Sequence, residues 1–296
     1  MQPTPVKVAA QRIGLPTLEP ERLRPVAPAL HATGADLFAV TSYGKIVPPA
    51  ILDVPRYGAL NVHPSLLPLY RGATPLQAQL RDGVTRGGVT VILMDAGMDT
   101  GDIVVQRESA IGPSETYGAL HERFSQLGAE LLTQACREVA EGVFARLPQA
   151  GLKPEDEVAH TLTHPLTKSD LSLTSPGADM RDFALVNKIR SLAPTPGARA
   201  DLPKFGLSKV LAGHILADGP PLDVPVGSCV AVRGWLLVRA SDGWIALDEV
   251  VVPGRRAMRI ADFRAGYRLT EPDIAQPVLE RWLSENEARL LGYALA

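Results

Sequence analysis

Cysteine is nearly absent from this sequence. Cys136 and Cys229 are the whole supply, and they lie far apart. Two such thiols support neither a disulfide framework nor a zinc site, and their scarcity suits a reducing cytoplasm. Long apolar runs are missing as well. No stretch approaches the ~18 residues of a membrane-spanning helix. The opening MQPTPVKVAAQRIG lacks the apolar core and cleavage pattern of a signal peptide. No large excess of one charge exists either. A net charge of −2 over 296 residues excludes nucleic-acid binding through bulk positive field alone. Aromatic residues make up only 5%, but the hydrophobic share of 46% is too high for wholesale disorder. The length suits about two domains at ~150 residues each.

Periodicity gives the organisation. Thr4 to Ile13 reads as a short helix, with Thr4 as N-cap, Pro5 at the first helical position and Val6, Ala9, Ala10 and Ile13 on one face. Leu15 to Leu18 reads as a short strand, followed by a helix-like stretch through Leu30. Strands are expected at Asp36–Ser42, Leu60–His63, Gly88–Met94 and Ile103–Ala110. Ser114 to Gly142 has a helical apolar stripe at Leu120, Phe124, Leu127, Leu131 and Leu132. Alternating strands and helices predict a mostly parallel sheet covered on both faces. Leu147 to Ala159, with two prolines, one glycine and an acidic cluster, reads as an exposed linker. Beyond it, Asp179–Leu192 is expected as helix. Ser208–Leu216, Cys229–Val232, Trp235–Arg239 and Trp244–Val252 are expected as strands of a compact β-barrel, with helical segments over Glu271–Tyr293.

Two short segments carry candidate chemistry. In Leu60 to Ala73, LNVHPSLLPLYRGA, Asn61 and His63 alternate on a strand and point to one side. They stand at the carboxyl end, where open α/β sheets bind ligands. Each residue taken singly also has an ordinary structural reading. Met94 to Asp102, MDAGMDTGD, sets three carboxylates and two glycines after a buried strand. It reads as a turn, and its spacing does not fit a calcium loop of EF-hand type. Asp99 is instead placed to hydrogen-bond His63, hold the ring and favour its charged form. Arg255, Arg256 and Arg259, with Arg264 and Arg268 behind, form a basic cluster. It reads either as solvated surface or as a contact for RNA phosphates.

LNVHPSLLPLYRGATPLQ followed by GVTVILMDAGMDTGDIV resembles the folate-dependent formyltransferases. NKIRSLAPTPGA (187–198) and PGRRAMRIADFRAGYRL (253–269) are similar to the second domain of the branch that acts on methionyl-tRNA. The resemblance implies a Rossmann-like α/β catalytic domain over residues 1–147, a linker over 148–160 and an OB-like β-barrel that helps hold tRNA over 161–296. It implies 10-formyltetrahydrofolate as formyl donor, the amino group of methionine on initiator tRNA as acceptor, and neither a metal nor a covalent enzyme intermediate. Asn61 and a protonated His63 would stabilise the oxyanion, with Asp99 orienting the ring. Ser65, Leu66, Leu67 and Pro68 match the family's folate-contacting turn, and Ser65 lacks the partners of a nucleophile. Tyr43, Gly44, Lys45 and Ile46 would lie near the pterin pocket. Lys188, Arg190, Arg255 and Arg256 would face tRNA. The chain is expected to act as a monomer, away from membranes. A nucleotide-sugar formyltransferase and a non-catalytic folate- or tRNA-binding protein are the alternatives.

The sequence departs from that pattern in front. Family members begin with a strand, a glycine-containing turn, a helix, a second strand and a basic loop, and this sequence enters near the end of that loop. The catalytic domain is therefore expected to be N-terminally incomplete by about fifty residues, with an unpaired sheet edge, poor folding and slow transfer. Leu69 stands where the family usually has a basic residue, and Thr195 where it often has tryptophan.

Overall fold

The computed structural model describes residues 3–175, 177–267 and 276–290, save the side chains of 276–279 and 288. The described helices are α1 (Pro5–Arg12), α2 (Ala27–His31), α3 (Pro49–Leu52), α4 (Pro75–Arg81), α5 (Tyr117–Glu141), α6 (Glu155–His160), α7 (Lys168–Leu171), α8 (Asp182–Leu192), α9 (Ile260–Gly266) and α10 (Gln276–Leu290). The strands are β1 (Phe38–Thr41), β2 (Ala59–His63), β3 (Arg86–Leu93), β4 (Asp102–Ala110), β5 (Ala198–Leu202), β6 (Gly206–Leu216), β7 (Cys229–Val232), β8 (Trp235–Arg239), β9 (Trp244–Val251) and β10 (Met258–Arg259).

The first sheet has the order β1-β2-β3-β4. Its hand of pairing corrects the expectation of a mostly parallel sheet. Only β1 and β2 run parallel, and β2-β3-β4 are antiparallel. Residues 94–101 join β3 to β4, too short a connection for a parallel crossover. Leu15–Leu18 forms no strand, and Leu15 and Leu18 are exposed. Among the described residues β1 pairs on one side only and buries none of its side chains. The helix α5 starts where the Thr116 hydroxyl accepts the Ala119 N–H and stops at Gly142 in the left-handed region. It covers the sheet with Leu120, Phe124, Leu131, Ala135 and Val139. Gly128 permits close approach: a Cβ there would stand 2.8 Å from Val62.

The second domain is an antiparallel sheet, β5-β6-β9-β8-β7, with β10 on β9 and β5 curling back near β7. Its barrel-like core joins Trp235, Leu237, Ile245, Leu247 and Phe263 to the inner face of α8. The strand β5 escapes the sequence reading because its inward residues, Ala198, Ala200 and Leu202, give a weak alternating signal. Part of the 271–293 stretch lies outside the described residues, and Gln276–Leu290 within it is helical.

The domains meet on α8 and the turn after it. The Arg190 guanidinium is buried and donates to the carbonyls of Leu80 (3.1 Å), Gly112 (3.2 Å) and Glu115 (3.3 Å). Its Nε donates to Asn187 Oδ1 (2.8 Å). On α5, the Gly118 N–H donates to the Ala193 carbonyl, and Pro194 packs against Gly118. The motif Asn187–Ala198 is thus largely a seam between domains.

Candidate active site

The strand β2 delivers Asn61 and His63 to the carboxyl end of the sheet, beside the loop that leaves β1. Asn61 is half-buried, and its amide has no hydrogen-bond partner among the described residues. That leaves two N–H donors free beside the histidine. His63 is only 4% exposed. Its Nε2 lies 2.8 Å from the Tyr70 carbonyl, and its Nδ1 lies 3.5 Å from Asp99 Oδ2. The same carboxylate oxygen accepts the Gly72 N–H at 2.9 Å.

Burial pushes His63 below its usual 6.5, and the Arg71 charge adds to that; the Asp99 charge and the Tyr70 carbonyl pull the other way and lose. Burial thus opposes the charged form that the sequence leads one to expect. Asp99 acts in the expected direction, but burial outweighs it. A carbonyl partner requires hydrogen on Nε2, so the neutral ring carries its lone pair on Nδ1.

A polar scaffold under the Pro64–Pro68 turn sets these positions. Thr90 is fully buried; its hydroxyl donates to the Ser65 carbonyl (2.6 Å) and accepts from Leu67 N–H (3.2 Å) and Gln106 Nε2 (2.8 Å). Gln106 also donates to the Leu67 carbonyl. The Ser65 hydroxyl donates to the Leu69 carbonyl at 2.7 Å. Ser65 has no exposed surface, Leu67 is 3% exposed and Pro68 is buried. Those three residues build the turn from inside, and of the four Leu66 reaches the surface. Tyr43, Gly44, Lys45 and Ile46 are exposed, and the Lys45 ammonium donates to the Glu21 carbonyl at 2.8 Å.

The Asp-rich loop separates its carboxylates. Asp95 accepts the Gly97 N–H and the Thr100 hydroxyl. Asp99, at φ +56°, turns to His63. Gly101 is required because a Cβ there would stand 2.0 Å from the Leu93 carbonyl oxygen. On the site's other side Gly72, at φ +107°, lies so close to Thr163 that a Cβ would meet its carbonyl at 2.1 Å. Thr90, Gln106, Gln149, Thr161 and Thr163 all brace the site, and the sequence reading missed them. An uncharged polar residue inside a strand or loop carries no periodic signal.

The four expected RNA contacts separate. Arg255 and Arg256 are exposed on the turn between β9 and β10. Lys188 is half-buried in a cleft of about 450 Å3 with Arg81, Asp170 and His160; burial draws its pKa down. Arg190 is corrected: it is buried, its Nη contacts cross to the first domain and its Nε bonds Asn187 within α8. Of the wider cluster, Arg264 stacks on the Trp235 ring at 3.9 Å, and Arg268 lies outside the described residues.

Two family profiles match the chain: formyl transferase over residues 2–136, and formyl transferase, C-terminal domain, over 179–268. Methionyl-tRNA formyltransferase of Syntrophus aciditrophicus (strain SB) is 38% identical over 268 residues, which span 90% of this chain and 82% of that protein. The enzyme of the same name from Halorhodospira halophila (strain DSM 244 / SL1) is 37% identical over 278 residues, 93% and 86% of the two chains. Among solved structures, a sugar 3N-formyl transferase crystallised with dTDP and 5-N-formyl-THF superposes with a TM-score of 0.59 at 16% identity, over 85% of this chain and 82% of that one. HypX from Aquifex aeolicus in complex with tetrahydrofolic acid gives 0.56 at 15%, over 84% and 44%. At those identities the likeness is one of fold.

Proposed function

Because the chain belongs to the methionyl-tRNA formyltransferase family, we propose that it transfers a formyl group from 10-formyltetrahydrofolate to the α-amino group of methionine on initiator tRNA. The observation that carries the chemistry is the free Asn61 amide beside a neutral, buried His63 backed by Asp99. The donor set suits such a co-substrate: hydrogen-bond donors for a carbonyl oxygen, a base for an amine proton, and an exposed loop, 43–46, at the same end of the sheet. The folate supplies an activated formyl carbon on N10.

As the amine adds to that carbon, Asn61 donates to the formyl oxygen, where negative charge builds. The Nδ1 lone pair of His63 takes the proton that the amine sheds. The imidazolium so formed has an acceptor on each nitrogen, the Tyr70 carbonyl and the Asp99 carboxylate. Both contacts strengthen only as the charge appears, which favours the transition state over the resting site. His63 then returns the proton to the departing N10 as the carbon–N10 bond breaks. Arg255 and Arg256 contact tRNA phosphates, and the folate pterin lies along Tyr43–Ile46 beside Leu66. The work is done by a soluble monomer in the cytoplasm.

The test offers the purified chain 10-formyltetrahydrofolate with two acceptors separately, methionyl-tRNA and a nucleotide-linked amino sugar. Formyl-methionyl-tRNA as the product is the expected result. Formylation of the sugar alone would assign the chain to the other acceptor class, and binding of folate or tRNA without turnover would make it a non-catalytic member.

A further inference from the structure

The stretch after β4's partner residue Leu147 is, through Ala159, exposed save at Gln149 and the half-buried Glu157 and Val158, but it does not hang free. Leu147 and Ile103 exchange both backbone hydrogen bonds at 2.9 Å, which lays the following residues along the Asp99 loop. Gln149 is 4% exposed and every hydrogen-bonding position of its amide is occupied. Its Oε1 accepts from Nε (3.1 Å) and Nη2 (2.7 Å) of Arg71. Its Nε2 donates to the carbonyls of Asp99 (2.9 Å) and Gly101 (2.7 Å). Farther along, the Thr161 hydroxyl accepts the Tyr70 N–H (3.2 Å), and Thr163 donates its N–H (2.8 Å) and its hydroxyl (3.0 Å) to the Arg71 carbonyl.

The two acceptors around His63 therefore depend on one strap. Tyr70, whose carbonyl meets Nε2, is held by Thr161; Asp99, whose carboxylate faces Nδ1, is held through its own carbonyl by Gln149. Asp99 and Tyr70 both have positive φ, +56° and +58°, backbone conformations that non-glycine residues keep only when their surroundings hold them. Among the described residues, Gln149 is the one side chain that binds both the Asp99 loop and the residue following Tyr70.

We propose that Gln149 is a positioning residue for formyl transfer: it fixes the Asp99 loop against the Tyr70–Gly72 loop so that the carboxylate meets His63, without itself touching substrate. The inference rests on the assignment of transfer to this site.

The test is a double-mutant cycle of Gln149→Ala with Asp99→Asn, with kcat and the KM for each substrate measured separately. Gln149→Ala is expected to lower kcat by about 30- to 100-fold and to move each KM by less than about threefold. In the Asp99→Asn background it is expected to cost less than about threefold more, because the group it positions has already lost its charge. Lys153→Ala, exposed on the same strap, is expected to match the wild type. Wild-type kcat in Gln149→Ala, or losses that multiply fully in the double variant, would overturn the proposal. NMR titration of the His63 ring supplies a readout that needs no turnover. Gln149→Ala is expected to shift its pKa, and an unchanged titration would count against the strap even if the wild type transferred no formyl group. Gln149→Glu, which keeps the volume and the Arg71 contact but sets a carboxylate against two carbonyls, replaces Gln149→Ala throughout if the latter does not fold, with the same expected and overturning results. Absence of transfer by the wild type with an intact His63 shift in the variant would sink the functional reading and leave the positioning contact standing.

Discussion

His63 and His214 each stand between a carboxylate and a carbonyl oxygen, yet they shift in opposite directions. For His63 burial wins, because Asp99 is 3.5 Å away. For His214 burial is the largest single effect, but the Asp248 carboxylate at 2.8 Å and the Arg289 carbonyl at 2.7 Å together overcome it and raise the pKa. The signs fix a pH dependence of stability. A depressed His63 contributes stability that is present above 6.5 and lost as pH falls toward its folded value. A raised His214 contributes stability that is present below 6.5 and lost as pH rises through its folded value. Unfolding free energy is therefore expected to be greatest near pH 6.5 so far as these two groups govern it. His63→Gln is expected to remove the acid-side slope, and His214→Gln the alkaline-side slope, in urea titrations from pH 5 to 8. Unchanged slopes in either variant would remove that histidine from the account. At this scale the sequence exposes Asn61, His63 and Asp99, because strand alternation and a glycine-bounded turn mark them. It hides the neutral state of His63, since burial is a property of the assembled loops.

At the scale of elements, α8 shows how a motif can be read correctly as a motif and wrongly as a surface. The basic residues of Asn187–Ala198 suggest phosphate contact, but Arg190 faces inward from α8 and satisfies three carbonyls, at the C-terminal end of α4 and in the loop before α5. Removing it leaves those acceptors unpaired in a buried seam, at about 3 kcal/mol. Arg190→Met is accordingly expected to lose about that much unfolding free energy while leaving the salt dependence of tRNA binding unchanged. The pair Arg255→Gln and Arg256→Gln is expected to keep stability within about 0.5 kcal/mol and to reduce the slope of log affinity against log salt by about 1 to 2. Equilibrium unfolding and a salt titration distinguish the two. The reverse pattern would put Arg190 at the RNA. Long elements were legible: α5 has a stripe several turns deep, β3 is apolar from Val89 to Leu93 save Thr90, and β9 opens on the apolar run Trp244–Leu247. The short α4 is fixed by its packing on α8 and α5, α6 and α7 bury no side chain, and none of the three is long enough to show a helical period.

On the scale of the whole molecule, two separate cores are joined by the Arg190 seam and by the strap from Leu147 to Thr163. The α/β-plus-barrel plan was legible because the linker composition and the change from strands alternating with helices to strands in succession divide the sequence in two. The course of the linker was not, since proline, glycine and acidic residues suit solvent, while the buried contact is made by one glutamine among them. The reaction site lies where the sheet's carboxyl end, the Asp99 loop and this strap converge. The measurement that bears most directly on that site is the turnover of methionyl-tRNA by His63→Ala beside the wild type, with tRNA affinity measured on both. Turnover is expected to fall at least 100-fold with affinity changed by less than about twofold, because His63 is buried behind the Asp99 loop and moves a proton without gripping RNA. Wild-type turnover in His63→Ala would contradict the account.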